Sequence, residues 1–235
     1  MKKILTQLRN RLIVSCQAAG ESPFNSPAGV TLLAKAAKLG GAAAIRSEGI
    51  EKTKTIISEV GLPVVGLVKS HFDDGTVKIT GSMKDVKELL NIGTDIIALD
   101  GTMREREGKS GPAFIEQLKK DIDITILADI ATIEEAKACA EAGADAVSTT
   151  LSGYTPETIF KREEGPDFRL VEEAVAALDI PVFAEGRIHR PETAADMLKL
   201  GAWGVVVGTS ITRPNIITEW YVKALSESGE KKKIR

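Results

Sequence analysis

Six short apolar runs in this chain stop at a side chain able to carry charge or make strong hydrogen bonds. Leu12 to Cys16 stops at Gln17, Ala42 to Ile45 at Arg46, and Pro63 to Val68 at Lys69. Asp95 to Leu99 stops at Asp100, Ile124 to Ala128 at Asp129, and Pro181 to Ala184 at Glu185. If these groups converge, unlike charges shift one another's pKa values and proton transfer becomes possible, as general acid/base chemistry requires. Side chains alternate along a strand, so stepping back by two from Gln17, Lys69, Asp129 and Glu185 gives Ser15, Leu67, Leu127 and Phe183. The spacing therefore predicts one polar layer of Gln17, Lys69, Asp129 and Glu185 above a largely apolar one. Any one of these charges could instead cap its strand and face solvent; the four together favour convergence.

The elements that must position them follow from two further apolar runs, Ala144 to Val147 and Trp203 to Val207, which bring the total to eight. Amphipathic segments alternate with the runs: Ala28 to Leu39 after Ser26-Pro27, Lys84 to Asn91, Pro112 to Lys120, Ile133 to Ala142 after Thr132, Phe168 to Leu178, and Glu192 to Leu200 after Pro191. Near-continuous apolar strands alternating with helices imply parallel βαβ units covered on both faces. Three phrases repeat, each turning at a glycine (Gly93, Gly143, Gly201) between helix and strand. We expect a single-domain (β/α)₈ TIM barrel over residues 1–235, with a doubly wound open sheet as the alternative. Residues 1–10 would be an N-terminal extension or short helix, and 227–235 a solvated basic tail. Barrel enzymes carry their chemistry at the carboxyl ends of the strands. The third and seventh strands are opposite in a ring of eight, so Lys69 and Glu185 would face each other across the mouth. That suits inversion of a carbon acid, and equally an aldolase with Lys69 as Schiff-base amine.

After the seventh and eighth runs come Glu185-Gly186-Arg187-Ile188 and Val207-Gly208-Thr209-Ser210-Ile211. Barrels often bind phosphate with these two loops and the N-terminus of a short extra helix. Gly186 and Gly208 would let backbone approach the anion, Thr209-Ser210 would open the helix, and Arg187 or Arg213 would add charge-assisted bonds. His71 and His189 fall in loops on the same face without a visible orienting group. Nothing in the sequence indicates a metal, and no cofactor fingerprint is present.

The charge balance, 31 Lys+Arg against 33 Asp+Glu, leaves no electrostatic footprint for nucleic acid. Cys16 and Cys139 lie in no CxxC or metal-ligand pattern, as in a reducing cytoplasm. Ile13-Val14-Ser15-Cys16 looks like a lipoprotein cleavage box, but Arg9, Asn10 and Arg11 interrupt the apolar region that export needs. No apolar run approaches the roughly 20 residues of a membrane span. A cytoplasmic protein is expected.

From Leu12 to Trp220 the sequence resembles the N-acetylmannosamine-6-phosphate 2-epimerases of sialic-acid catabolism. The resemblance is carried by Ser15-Cys16-Gln17, Gly66-Leu67-Val68-Lys69, Asp95 to Asp100, Ala128 to Thr132, Ser148-Thr149-Thr150-Leu151-Ser152-Gly153-Tyr154-Thr155, Ala184 to Ile188 and Val207 to Pro214. It implies Lys69 and Glu185 as catalytic pair. It further implies Gln17, Arg46 and Asp129 as sugar contacts, with Gly186, Arg187, Gly208, Thr209 and Arg213 around the phosphate. It also implies a homodimer and no cofactor. The chain departs from the family pattern in two places. Ser70-His71-Phe72 stands where Arg, an acid and Tyr usually follow the lysine, and Arg104-Glu105-Arg106-Glu107 lacks the usual proline.

The implied reaction interconverts N-acetyl-D-mannosamine 6-phosphate and N-acetyl-D-glucosamine 6-phosphate. The C2 proton becomes removable only when C1 is an aldehyde, so the ring must open and the enolate must be stabilised. The alternatives are another sugar-phosphate isomerase or aldolase on the same barrel, and a sugar-phosphate-sensing regulator without turnover.

Overall fold

The structure, a computed structural model, describes residues 1–230. In chain order the strands are β1 (Leu12–Cys16), β2 (Ala44–Glu48), β3 (Val64–Leu67), β4 (Lys69–His71), β5 (Val77–Ile79), β6 (Ile96–Asp100), β7 (Thr125–Asp129), β8 (Ala146–Ser148), β9 (Val182–Glu185) and β10 (Gly204–Val207). Eight of them close a parallel barrel in the order β1-β2-β3-β6-β7-β8-β9-β10, while β4 and β5 form a separate antiparallel hairpin. The (β/α)₈ barrel is thus observed and the open sheet excluded. Strands reach further than the apolar runs suggested: Arg46, Asp100, Asp129 and Glu185 lie inside β2, β6, β7 and β9. Asp100 is even paired in register with Asp129.

Six helices fall where capping and periodicity placed them: α2 (Pro27–Leu39), α4 (Met83–Asn91), α5 (Gly111–Asp121), α6 (Ile133–Glu141), α7 (Phe168–Ala177) and α8 (Pro191–Lys199), the last beginning with proline in its first turn. Ser26 accepts from the Gly29 N–H, and Thr132 with Glu135 forms a full capping box. α3 (Ile50–Val60) was missed. Its β-branched content is poor for helix propensity, yet Thr53, Ile56 and Val60 make a buried stripe and Gly61 ends it at φ 64°. α1 (Lys3–Gln7) is the short N-terminal helix, and with Leu5 and the following Leu8 fully buried it plugs the amino end of the barrel. After the short α9 (Thr209–Thr212), α10 (Pro214–Glu230) absorbs the first part of the expected tail, and 231–235 lie outside the described residues. From Thr218 to Ser228 every residue of α10 is exposed.

The pairing registers correct the expected layer. Tracing them once around the ring returns to β1 eight residues displaced, the stagger typical of this barrel. Staying level therefore means advancing by one residue per strand. On that basis Ser15, Leu67, Asp129 and Glu185 share one layer, over Ile13, Val65, Leu127 and Phe183. Gln17 and Lys69 stand one step further out, so the predicted layer merged two levels. Arg46, on an alternate strand, sits half a step below Asp129 and Glu185. Truncating the plug tests how the barrel closes: Leu8→Ala should cost about 2–5 kcal/mol, read as a lowered urea midpoint. An unchanged midpoint would mean that the floor is not part of the cooperative core.

Candidate active site

At the carboxyl ends of the strands a cavity of about 260 Å³ opens, with Gln17, Arg46, Lys69, Thr150, Glu185 and Arg213 among its lining. Its deepest charged group is Arg46, 1% exposed. Arg46 Nη2 lies 2.5 Å from Asp129 Oδ2, and Nη1 lies 3.4 Å from Glu185 Oε2. Nε and Nη1 have no hydrogen-bond partner among the described residues. The two carboxylates hold the guanidinium pKa above its ordinary value against the opposing pull of burial. Asp129 itself is fully buried and lines no part of the cavity. Burial and then the neighbouring Glu185 push its carboxyl up to about 6 despite Arg46.

The segment after β8 builds the rest of this cluster. Ser148 Oγ donates to Glu185 Oε2 at 3.1 Å, and Thr150 Oγ1 lies 2.9 Å from the same oxygen and 2.6 Å from Asp129 Oδ1. Thr149 Oγ1 accepts from the Glu185 N–H and donates to its carbonyl. Three consecutive hydroxyls thus fix Glu185 by backbone and carboxylate together. Reading strand ends for charge had passed over them, because β8 ends in hydroxyls; the signal was the uninterrupted Ser148-Thr149-Thr150.

Lys69 begins the β4–β5 hairpin beyond the last barrel residue of β3. It has access to solvent on the open side of the cavity. Enough protein surrounds the amine for burial to lower its pKa, helped by Arg46 and Arg213 and opposed by Glu48 and Glu185. Among the described residues Lys69 and Arg213 join no ion pair. The hairpin base is held by Thr80, whose hydroxyl accepts from the Val68 N–H and donates to Ala98 O. Gln17 is buried beside Lys69's level and donates to Ser15 Oγ at 3.0 Å.

At the other end of the cavity the two glycine loops meet. Gly186 has φ 109°, a conformation closed to most side chains, and Gly208 caps α9 just before Thr209. Ser210 Oγ donates to Ile188 O, and His189 Nδ1 lies 3.2 Å from the same hydroxyl, so the loops are tied together. His189 also packs edge-on against Trp220 at 4.6 Å. Arg187 was expected to reach the phosphate, but its guanidinium is engaged by the Ser152 and Gly165 carbonyls and lies 5.6 Å from the centre of the Tyr154 ring. Among the described residues Arg213 is the cavity-lining guanidinium with neither an ion pair nor a side-chain hydrogen bond.

Asp100 does not join the mouth. It is fully buried, 3.0 Å from both Arg104 Nη2 and Arg106 Nη2. Arg104 in turn donates to Thr76 Oγ1 and stacks over Phe72 at 4.2 Å. His71 lies in the exposed hairpin and lines no part of the cavity. No group of three or more His, Cys, Asp or Glu among the described residues is placed to hold a metal.

The profile of the family described as "Putative N-acetylmannosamine-6-phosphate epimerase" matches residues 30–227. The chain belongs to that family. A relative from Clostridioides difficile strain 630, named "Putative N-acetylmannosamine-6-phosphate 2-epimerase", is 44% identical over 94% of this chain and 99% of its own. A solved N-acetylmannosamine-6-phosphate 2-epimerase from Clostridium perfringens is 40% identical, with TM-score 0.88 over 95% of this chain and 96% of that one. A thiamine phosphate pyrophosphorylase from Pyrococcus furiosus, 18% identical with TM-score 0.60 over 89% and 90% of the two chains, shares the fold. Phe72 lies against Arg104, and neither Ser70-His71-Phe72 nor Arg104-Glu105-Arg106-Glu107 lines the cavity.

The raised Asp129 carboxyl has a sign that can be checked. Its contribution to stability is fully present below the ordinary value of 3.8 and is lost as pH rises through about 6. The advantage of wild type over Asp129→Asn, taken from urea midpoints at several pH values across that window, should therefore shrink as pH rises. An advantage that grows would show that the folded state favours the anion.

Proposed function

We propose that the protein interconverts N-acetyl-D-mannosamine 6-phosphate and N-acetyl-D-glucosamine 6-phosphate by removing and returning the C2 proton. One observation carries this reading: Lys69, at the root of the hairpin that follows β3, and Glu185, at the end of β9, line a single cavity from opposite sides of the barrel. A sugar between them can lose a proton to one and gain one from the other, on opposite faces of C2.

The open-chain aldehyde makes C2 acidic, and the enolate oxygen needs positive charge near it. Lys69 as a cation holds that oxygen or delivers a proton, and as a free base takes one; burial, which lowers its pKa, favours the free base. Glu185, held by Arg46 and the Ser148-Thr150 hydroxyls, is the partner acid or base. Gln17 and Arg46, both in the cavity lining, meet the sugar's oxygens. Asp129 serves the sugar indirectly, through Arg46 and Thr150. Gly186, Gly208, Thr209 and Arg213 hold the phosphate, with Arg187 bracing the loop, and this remote binding fixes C2 for reaction. The side chains present supply both proton-transfer groups, and no cofactor is assigned.

No helix among the described residues is long and apolar enough to cross a membrane. With both cysteines buried and unpaired, we place the protein in the cytoplasm. Its partner is a second copy of the chain. Trp220, Tyr221, Val222 and Leu225 are exposed along α10, an apolar surface that a homodimer would cover.

Incubation with N-acetylmannosamine 6-phosphate in heavy water should exchange the C2 proton and produce the gluco epimer, followed by NMR. Well-folded protein giving neither would sink the reading, and borohydride trapping at Lys69 would favour an aldolase. Lys69→Ala and Glu185→Gln should each lower kcat by about 10²–10⁴ while substrate still binds; wild-type rates would remove the roles assigned. Light scattering should return twice the chain mass of 25.1 kDa, and Leu225→Glu should halve it; a monomeric wild type at micromolar concentration contradicts the dimer.

A further inference from the structure

A single hydroxyl stands where the two carboxylates of the site meet. Thr150 Oγ1 is 2.6 Å from Asp129 Oδ1, 2.9 Å from Glu185 Oε2 and 2.9 Å from Ser148 Oγ, and Ser148 Oγ is 3.1 Å from Glu185 Oε2. Four oxygens therefore make four close contacts. The two hydroxyls bring one hydrogen each, and ionised carboxylates bring none. With both acids ionised, Ser148 donates to Glu185 and Thr150 to Asp129. Thr150 and Glu185 are then left lone pair to lone pair at hydrogen-bond distance. One added proton supplies that contact and leaves only Thr150 against Ser148 without a hydrogen of its own. On Asp129 it donates to Thr150, which donates to Glu185; on Glu185 the chain runs the other way.

We propose that Thr150 is a positioning residue that joins Asp129 and Glu185 into one acid holding a single proton, and that its hydroxyl passes this proton between them. In the transfer the Asp129 O–H bond breaks as a new Thr150 O–H forms, and the former Thr150 O–H breaks as Glu185 O–H forms. Charge moves from one carboxylate to the other and no external acid or base is needed. The proposal deepens the epimerase reading and rests on it for the role of Glu185.

The surroundings fit a shared proton. Facing the pair are Arg46 from β2, which touches both acids, Lys69 from β4, Asp100 from β6, and Ser148 with Thr150 from the end of β8. Glu48 and Arg213 act on Lys69. Asp100 is neutralised by its own two arginines. That leaves Arg46 and Lys69 against Asp129 and Glu185. Moving one proton from Lys69 to the carboxylate pair keeps this set neutral, with Arg46 facing one remaining anion. Burial pushes Asp129 up and Lys69 down, so both shifts run toward that arrangement. Asp129, sealed from the cavity, is then placed to exchange a proton with Glu185 from behind while substrate covers its front.

The test compares wild type, Thr150→Val, which keeps the shape without the hydroxyl, and Thr150→Ser, which keeps the hydroxyl. Epimerisation is followed by NMR across the pH range, with melting temperatures as the check on folding. Thr150→Ser should stay within about threefold of wild-type kcat. Thr150→Val should lose at least about tenfold in kcat with KM little changed, within the range of a single proton-transfer contribution. Its pH profile should also shift to lower pH, because the hydroxyl bonds both acids when they share a proton and only one of them when both are ionised. Wild-type kcat with an unshifted profile in Thr150→Val overturns the proposal. Infrared difference spectra of wild type against Asp129→Asn, near the Asp129 value of about 6, give a second readout that needs no turnover. A carboxylic C=O stretch is expected there, and its absence overturns the shared proton. If wild type fails to epimerise, the epimerase reading falls, and with it the role given to Glu185; the infrared band still reports whether the proton is shared.

Discussion

The buried guanidinium of Arg46 governs the site. Removing such a charge from water costs several kcal/mol even after relaxation, and only closely placed opposite charges offset it. Asp129 and Glu185 meet that need, and in doing so they are drawn to one side of the barrel at one height. This explains why a carboxylate that never reaches the cavity is present at all. Deleting either acid would leave Arg46 partly uncompensated, which for buried pairs typically costs about 3–5 kcal/mol. The stability of the barrel mouth and the placement of Glu185 are therefore one interaction seen from two sides. Thr149, gripping the Glu185 backbone, prevents the strand end from yielding to that pull.

Lys69 is positioned by different means. An isolated two-stranded hairpin is marginally stable, and the lysine stands at the root of one. Thr80 staples that root to β3 and β6. Further out, Phe72 lies between Lys78 and Arg104, and Arg104 is anchored on Asp100. A strand-end aspartate that looked like a member of the mouth thus works on the lysine at a distance, through an arginine and an aromatic ring. Phe72 and Arg104 touch, and neither of their segments lines the cavity.

Periodicity and capping made the eight strands and six of the helices legible, since each depends on local alternation and on residues such as Ser26 and Thr132. α3 was hidden by its β-branched residues, and the hairpin by its shortness. Parity correctly turned Asp129 and Glu185 inward. It could not give their level, because the stagger of the barrel is a property of the closed ring and of no single strand. That is why Gln17 and Lys69 were placed one layer too low. Reading strand ends for charge found the acids and the lysine but passed over Ser148 and Thr150, whose hydroxyls gain importance only when two carboxylates lie within reach. Arg187 illustrates the converse: its charge and loop suggested phosphate, while backbone carbonyls folded close by compete for it.

The near-neutral total of this chain conceals a division within the cavity. On the inner side Arg46, Asp129 and Glu185 largely cancel, so a group entering there meets hydrogen-bonding partners and exchangeable protons more than net charge. On the outer side Lys69 and Arg213 face solvent without ion-pair partners among the described residues, beside the turns at Gly186 and Gly208. An anionic ligand is drawn to the outer cations, and its neutral portion is then carried toward the inner acids. Under the proposed reaction this orients a sugar phosphate before any chemistry occurs. It also places the phosphate where its charge favours the protonated amine of Lys69, opposing the burial that lowers it. Binding and acidity are then coupled: the bound anion raises the pKa of Lys69 toward its ordinary value, against the lowering by burial.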